Sequence, residues 1–336
     1  MHSTLGVLEA LGTAEGFHLD IECIDAGAEH HRRTGANLAP ETLARMQAGT
    51  FAAILKGPVG LPSVRLPDGT EAGLLGGVLR NGLDAYANVR PVRLLPGVAS
   101  PLKRAPGEID YVIVRENTEG LYASRGRGVA NHWAASDVLF MTRPGVERVV
   151  RYAFELARRR GGAPLDRVHR VTCVDKSNVL RSFAFFRDIF TEIAREYPDI
   201  EADYLYADAT AQAMVLDPRR FDVLVMENLL GDILSDLGGG TVGGIGSCPS
   251  GNIGDRLAYF EPVHGSAPTI AGKDLANPLS QILSAAMLLR HIGEGTAAGR
   301  LEGAVWRALE SGALAIRDGM PVGGNAAAAR AVVASL

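Results

Sequence analysis

Cysteine is scarce: the chain carries only Cys23, Cys173 and Cys248, far apart and with no C-x-x-C pair. That spacing excludes a disulfide framework and a four-thiolate zinc site, and predicts buried free thiols in a reducing cytoplasm. Long apolar runs are also missing, and no stretch reaches the ~18 residues that span a bilayer. The opening Met1-His2-Ser3-Thr4 has no basic stretch followed by an apolar one, so no secretory signal is expected. Positive charge is not in excess. Lys and Arg number 34 against 38 Asp and Glu, and the net charge of -4 argues against a nucleic-acid binder. A local basic pocket for an acidic substrate stays open. There is no G-x-x-x-x-G-K-[ST] phosphate loop. Gly238-x-Gly240-x-x-Gly243 has the spacing of a dinucleotide fingerprint, but it follows a helical pattern where that motif follows a strand. It reads as a glycine-rich loop.

What is present is ordinary for a globular protein: 336 residues, 47% of them apolar and 21% charged. That length suits one large or two medium domains. Apolar runs of strand length alternate with helical patterns. Phe51 to Leu55, Ile109 to Val114 and Phe221 to Met226 read as buried strands. Pro144 opens a helix whose Val146, Val149, Val150 and Ala153 share one face, Val179 to Arg195 forms a second, and Pro278 opens a third. This alternation predicts an α/β architecture with a largely parallel sheet. Pro96, Pro101 and Pro106 mark a candidate crossing between domains. Residues 3–12 read as amphipathic helix with no strand before it, although an α/β domain usually begins on a strand.

Four segments carry chemistry. Asn228-Leu-Leu-Gly-Asp232-Ile-Leu-Ser-Asp236 follows a predicted strand, and its two aspartates share a helix face about 6 Å apart. Like charges at that spacing repel unless a cation lies between them, and oxygen-only ligands favour Mg2+ or Mn2+. Two aspartates are ordinarily a solvated face; the apolar, glycine-rich flanks argue otherwise, with Leu230, Ile233, Leu234 and Leu237 expected to pack. Arg80, Arg90 and Arg115 accompany predicted strands, and convergent guanidiniums suit a substrate with two or more carboxylates. Taken singly, each would pass for a surface residue. Lys176, in Val174-Asp175-Lys176-Ser177-Asn178, follows another strand, where partial desolvation would let it carry protons. In Phe260-Glu261-Pro-Val-His264-Gly265-Ser-Ala267-Pro268, small residues after a histidine let backbone approach a flat ligand closely, and His264 suits an adenine.

Together these motifs resemble the β-decarboxylating dehydrogenases: the isocitrate, homoisocitrate, 3-isopropylmalate and tartrate dehydrogenases. The resemblance runs from about residue 5 to the end, through Val114-Arg-Glu-Asn-Thr-Glu-Gly120-Leu-Tyr122, Asp175-Lys176-Ser-Asn178, Gly231-Asp232-Ile-Leu-Ser-Asp236 and Glu261-Pro-Val-His264-Gly-Ser-Ala-Pro268. It implies a two-domain α/β isocitrate/isopropylmalate dehydrogenase-like fold, not a Rossmann fold, with residues 1–85 and 243–336 as the cofactor-binding domain and 86–242 as the central substrate and dimerisation domain. It also implies roles. Arg80, Arg90 and Arg115 hold substrate carboxylates. Asp232 and Asp236 bind Mg2+ or Mn2+, joined by Asp208 from a second subunit. Tyr122 and Lys176 handle protons, with Lys176 again from the partner. Asn178 approaches the nicotinamide, and His264, Gly265, Ala267 and Asn277 surround the adenosine half of NAD. The implied protein is a cytoplasmic homodimer or larger assembly that oxidises a 3-substituted malate and releases CO2, with no nucleic-acid or membrane partner.

Three departures from the family pattern matter. The family's opening strand and Gly-Asp-Gly-Ile-Gly-Pro-Glu turn are absent, so the fold is expected to lack its first strand. Thr269-Ile270 stands where NAD enzymes place an acid and NADP enzymes place lysine and tyrosine; lacking a cation, it favours NAD over NADP. Before Arg80, the stretch Gly73-Leu74-Leu75-Gly76-Gly77-Val78 offers space where relatives place contacts to the C3 substituent, which implies a group larger than or different from isopropyl. Asn117-Thr-Glu119-Gly120 and Pro249-Ser-Gly-Asn252-Ile-Gly254-Asp255 lean towards isocitrate and homoisocitrate. The alternatives are tartrate or homoisocitrate dehydrogenase activity and a non-catalytic regulatory subunit, which would be expected to lose one of Asp208, Asp232, Asp236, Lys176 or Tyr122.

Overall fold

The computed structural model describes residues 1–67 and 69–336. Its helices and strands begin with α1 (His2–Glu15), α2 (Ala28–Thr34), α3 (Pro40–Gln47), β1 (Ile54–Leu55) and α4 (Gly76–Gly82). There follow β2 (Ala87–Arg93), β3 (Asp110–Glu116), β4 (Val129–Ala130), β5 (Ala135–Ser136), α5 (Arg143–Arg159), β6 (Arg170–Asp175), α6 (Arg181–Ala194), β7 (Glu201–Tyr206), α7 (Ala207–Leu216), β8 (Val223–Met226) and α8 (Asn228–Thr241). The chain closes with β9 (Pro249–Ile253), β10 (Ala258–Pro262), α9 (Leu279–His291), α10 (Gly295–Glu310), β11 (Ile316–Arg317), β12 (Met320–Pro321) and α11 (Asn325–Ala334). The elements form two compact units. One comprises Met1–Ala85, Leu95–Ala99 and Gly243–Leu336; the other comprises Tyr86–Leu94 and Ser100–Val242.

In the unit that holds both termini, β1 runs parallel to β10, pairing Ile54 with Tyr259 and Leu55 with Phe260, and β10 is antiparallel to β9. Its main core joins Val7, Leu8 and Leu11 of α1 to Leu279, Ile282 and Leu289 of α9, Leu301 and Val305 of α10, and Val332 of α11. Each set recurs at three- and four-residue steps, so each helix turns one stripe inward. Two expectations change here. The predicted strand Phe51–Leu55 shrinks to Ile54–Leu55, both half-buried, because the Phe51 ring lies under the Arg45 guanidinium, 4.9 Å from it. Cys23 is exposed, while Cys173 and Cys248 are buried. As expected, α1 has no strand before it among the described residues.

In the other unit, the strand order is β2-β3-β8-β6-β7. β3, β8, β6 and β7 are mutually parallel, and β2 is antiparallel to β3. β3, β6 and β8 read as near-continuous apolar runs because both of their faces are buried. Thr142 caps α5, its hydroxyl accepting the Gly145 N–H at 3.1 Å, and Val146, Val149, Val150, Ala153 and Phe154 form the buried stripe.

The parallel direction has a functional consequence. Chain ends at one side of such a sheet form its ligand crevice. On that side β3 ends at Arg115-Glu116, β6 at Asp175, β7 at Tyr206 and β8 at Met226. Each strand therefore delivers one chemistry-bearing segment to the same side: Tyr122, Lys176, Asp208 and Asp232.

The glycine-rich reading of 238–243 is corrected. Gly238, Gly239 and Gly240 lie inside α8. A Cβ on Gly238 would sit 2.9 Å from Val92 and 3.0 Å from the Tyr111 hydroxyl, so the glycine lets the helix press onto β2 and β3. The packing face of α8 is also different from the one expected. Gly231, Leu234, Ser235, Gly238 and Gly239 are buried, whereas Ile233 is 58% exposed.

Candidate active site

Arg115 is the centre of the site. It sits on β3, its side chain is 2% exposed, and a guanidinium so deep is costly unless every donor is matched. It is matched. Nε and Nη2 donate to Asn228 Oδ1 at 2.9 and 2.8 Å, and Nη1 is ion-paired with Asp232. Gly231 makes this possible, because a Cβ there would lie 2.6 Å from the Arg115 Cβ and Cγ. The glycine before Asp232 is thus the groove in which Arg115 crosses the helix.

Around this pair, β2 and the short 3-10 turn Leu121–Ser124 add two more groups. The Tyr122 hydroxyl donates to Asp232 Oδ2 at 2.7 Å. Arg90 donates from Nη1 to Ser235 Oγ at 2.6 Å and to Asp236 Oδ1 at 3.2 Å, and its Nη2 lies 3.5 Å from Asp232 Oδ1. Asp232 and Asp236 are on one face of α8, as the four-residue spacing requires. Burial pushes the Asp232 carboxyl up, but Arg115, the Tyr122 bond and Arg90 outweigh it and hold it below the usual carboxylate range. Tyr122 moves the other way. Burial and then the Asp232 carboxylate raise its hydroxyl above the ordinary phenol range, so it stays protonated.

Lys176 and Asp208 form a separate pair. Lys176 Nζ donates to Asp208 Oδ2 at 2.7 Å, and this bond holds Asp208 below its usual range. Lys176 also lies over the Tyr206 ring, 5.7 Å from its centroid. Its loop is fixed by Asp175, fully buried, which accepts from Arg187 at 2.6 and 3.1 Å and from the Ser177 N–H at 2.8 Å. Asn178 follows, exposed, ahead of α6. Among the described residues no three His, Cys, Asp or Glu side chains converge closely enough to hold a metal, so Asp208 does not join Asp232 and Asp236 within one chain.

The remaining expected residues lie in the terminal unit. Arg80 is on α4, its Nε buried and without a hydrogen-bond partner. The His264 ring meets its neighbour, Nδ1 lying 2.9 Å from the Gly265 carbonyl. Gly265 has open space where a Cβ would stand. Ala267 holds a left-handed backbone, φ 44°, which costs a residue with a Cβ and is typical of ligand-binding turns. Ser266 ties the turn down by donating to the Gly60 carbonyl at 2.6 Å. Asn277 donates to the Gly319 carbonyl at 3.2 Å and accepts the Leu279 N–H at 3.1 Å at the start of α9.

Comparison with known proteins follows the same outline. Residues 1–320 match the family model for isocitrate/isopropylmalate dehydrogenase. The chain belongs to the isocitrate/isopropylmalate dehydrogenase family. It is therefore a decarboxylating oxidoreductase that acts on a CH–OH donor. It is 46% identical over 308 residues to a 3-isopropylmalate dehydrogenase of Corynebacterium efficiens, covering 89% of this chain and 87% of that one. The 3-isopropylmalate dehydrogenase of Streptomyces coelicolor is 45% identical over 320 residues, covering 92% and 88%. Among solved structures, an isocitrate dehydrogenase from Methylococcus capsulatus superposes with a TM-score of 0.85 at 40% identity, over 99% of this chain and 94% of that one. The TT0538 protein from Thermus thermophilus gives 0.84 at 37% identity, over 100% and 65%.

Sequence reasoning named the charged residues and missed those that hold them. Ser235, Asp175, Arg187 and Glu227 were each inside or beside a quoted segment. Only Glu227, directly before Asn228 at a strand-to-helix junction, carried a usable signal, because that is where a helix cap belongs.

Proposed function

We propose that the chain oxidises the C2 hydroxyl of a 3-substituted malate with NAD and a divalent cation and releases the neighbouring carboxylate as CO2. The observation that carries this reading is the neutral cluster of Arg90, Arg115, Asp232 and Asp236 with Tyr122 bonded to Asp232. Two guanidiniums and two carboxylates cancel. A dianionic substrate and a divalent cation bring equal and opposite charge, so both can enter without leaving an unpaired charge in a half-buried site.

The residues present fit a hard cation: Asp232 and Asp236 offer carboxylate oxygens on one helix face, and Mg2+ commonly takes one or two protein carboxylates and fills its remaining positions with water and substrate. Bound there, with Asp208 of a second copy, it would supply Lewis acidity at the C2 oxygen, and NAD would supply the hydride acceptor. Asn178 would stand beside the nicotinamide, with His264, Gly265, Ala267 and Asn277 around the adenosine half. Arg90 and Arg115 orient the substrate by its carboxylates. Lys176, released from Asp208 by the cation and in its amine form, would accept the C2 hydroxyl proton. After CO2 leaves, the electron pair remains on the C2–C3 enolate, and Tyr122, kept protonated by burial and Asp232, returns a proton to C3.

The pairing of Lys176 with Asp208, apart from the Asp232 cluster, supports a site completed by a second copy of the chain. Exposed apolar side chains support it too: Ile233 on α8, Leu216 on α7 at 64%, and Trp133 at 88% between β4 and β5. Mixing Asp232→Asn with Lys176→Ala chains tests this. Mixed dimers would regain one intact site, restoring about a quarter of wild-type activity after random exchange of two-fold-symmetric partners. No recovery would place the whole site in one chain.

For the C3 substituent, the favoured reading is a group other than isopropyl, because a Cβ on Gly76 or Gly77 would meet nothing within 4 Å. NAD+ and NADP+ reduction with Mn2+ across 3-substituted malates and tartrate decides it. A clear preference for 3-isopropylmalate, the substrate named for the relatives, would sink this reading and leave the reaction in place. The regulatory-subunit alternative is not favoured, since Asp208, Asp232, Asp236, Lys176 and Tyr122 are all present.

A further inference from the structure

We infer that Glu227 is a positioning residue for the proton delivered by Tyr122, fastening the Tyr122 turn to the start of the helix that carries Asp232. Glu227 is 2% exposed, and both carboxylate oxygens are used. Oε2 accepts the Leu229 N–H at 2.9 Å and the Leu230 N–H at 3.2 Å, capping α8. Oε1 accepts the Leu121 N–H at 3.0 Å, from the residue immediately before Tyr122.

Side-chain length explains the choice of residue. Helix N-caps favour Ser, Thr, Asp and Asn, whose short side chains suffice to reach the second or third N–H. Glutamate is longer than a cap needs, and the extra methylene lets its second oxygen cross to the Tyr122 turn. The turn is shaped around it. Gly120 has φ +76°, and a Cβ there would collide with Glu227 Oε1 and stand 3.0 Å from Asn228 Cβ. Asn228 adds a parallel link, donating from Nδ2 to the Glu119 carbonyl at 2.9 Å while its Oδ1 accepts from Arg115. The stretch Glu119–Tyr122 is thus joined to α8 three times, by backbone through Asn228 and Glu227 and by the phenol through Asp232. Without the Glu227 link, the residue next to Tyr122 loses its anchor, and the phenol's own bond is to the carboxylate a cation would claim. The tether therefore matters most in the loaded enzyme.

The inference rests on the reading of Tyr122 as proton donor, so Tyr122→Phe is measured alongside. Glu227→Asp separates cap from tether, because aspartate is a favoured N-cap but is one methylene too short to reach Leu121 as well. Gly120→Ala strains the same link from the other side with the carboxylate intact. All are assayed as purified enzyme with Mn2+ and the best malate of the panel, well below each variant's melting temperature. The expected result is a kcat about 10- to 100-fold lower for Glu227→Asp, the scale of a misplacement near 1 Å, with substrate KM within about two-fold and a melting temperature lower by only a few degrees. Gly120→Ala is expected to show the same split of kcat from KM. A Glu227→Asp enzyme with wild-type kcat, beside an impaired Tyr122→Phe, overturns the inference and leaves the function standing. A Glu227→Asp enzyme whose kcat returns to the wild-type value at temperatures far below its melting point also overturns it, showing a structural cap only. Full activity in Tyr122→Phe overturns the role of Tyr122 and this inference with it.

Discussion

The Arg115 cluster and the 264–277 segment are built in opposite ways. In the first, Arg115 and Glu227 are buried, and their polar groups are bonded before any ligand arrives. In the second, Gly265, Ala267 and Thr269 are exposed, the His264 ring meets its neighbour, and the backbone holds a left-handed alanine. Groups that stabilise charge in a reaction gain from being fixed in advance, because reorienting dipoles costs energy during the step. A segment that clasps a long, flat cofactor gains from open backbone, with binding supplying the missing partners. On the proposed roles, loss of a residue in the first region should damage turnover and loss of one in the second should damage affinity.

The largest effect expected is in the cluster. Asp232→Asn removes the proposed cation ligand and the charged partner of Arg115 together, and kcat should fall by about 10³-fold or more while circular dichroism stays native. A variant with near wild-type turnover would remove Asp232 from the chemistry. Tyr122→Phe comes next, with a loss of about 10²- to 10⁴-fold in kcat and little change in KM, the range of general acid catalysis. Gly120→Ala should also lower stability, by about 1–3 kcal/mol in denaturant titration, since it strains a left-handed position against Glu227.

The pH dependence of stability sharpens the comparison further. The Asp232 carboxyl lies below its usual range when folded. Its contribution is therefore complete above the unfolded carboxylate value of about 3.9 and is lost as pH falls through the lower folded one. The difference in stability between the wild type and Asp232→Asn should be flat above about pH 5 and shrink below about pH 4. A difference that grows on acidification would mean the arginines do not hold Asp232 ionised.

The smallest structural effect belongs to the other region. Gly265→Ala adds a methyl where nothing lies within 4 Å, so stability should change by no more than about 0.5 kcal/mol. If the segment holds the dinucleotide, its KM should rise with kcat nearly unchanged. Equal loss of kcat would make the two regions alike and end the contrast.

By itself the sequence determined the alternation of strands and helices, because hydrophobic periodicity needs no partner to be read. It also determined the chemical types at Arg90, Arg115, Tyr122, Lys176, Asp208, Asp232 and Asp236, because a reaction needs particular donors and charges whatever holds them. The tertiary structure alone decided how those groups are held. That Arg115 lies in the Gly231 groove, that Glu227 reaches Leu121, and that Gly238–Gly240 continue a helix are all facts about surfaces meeting across more than a hundred residues or across a sheet. Local pattern carries no record of such distances. It also decided that Phe51 leaves the strand for Arg45 and that Ile233 faces outward, since packing partners override propensity. Periodicity and residue chemistry are local properties and were legible in the order of residues. Distance, burial and charge compensation are properties of the folded chain, and only folding set them.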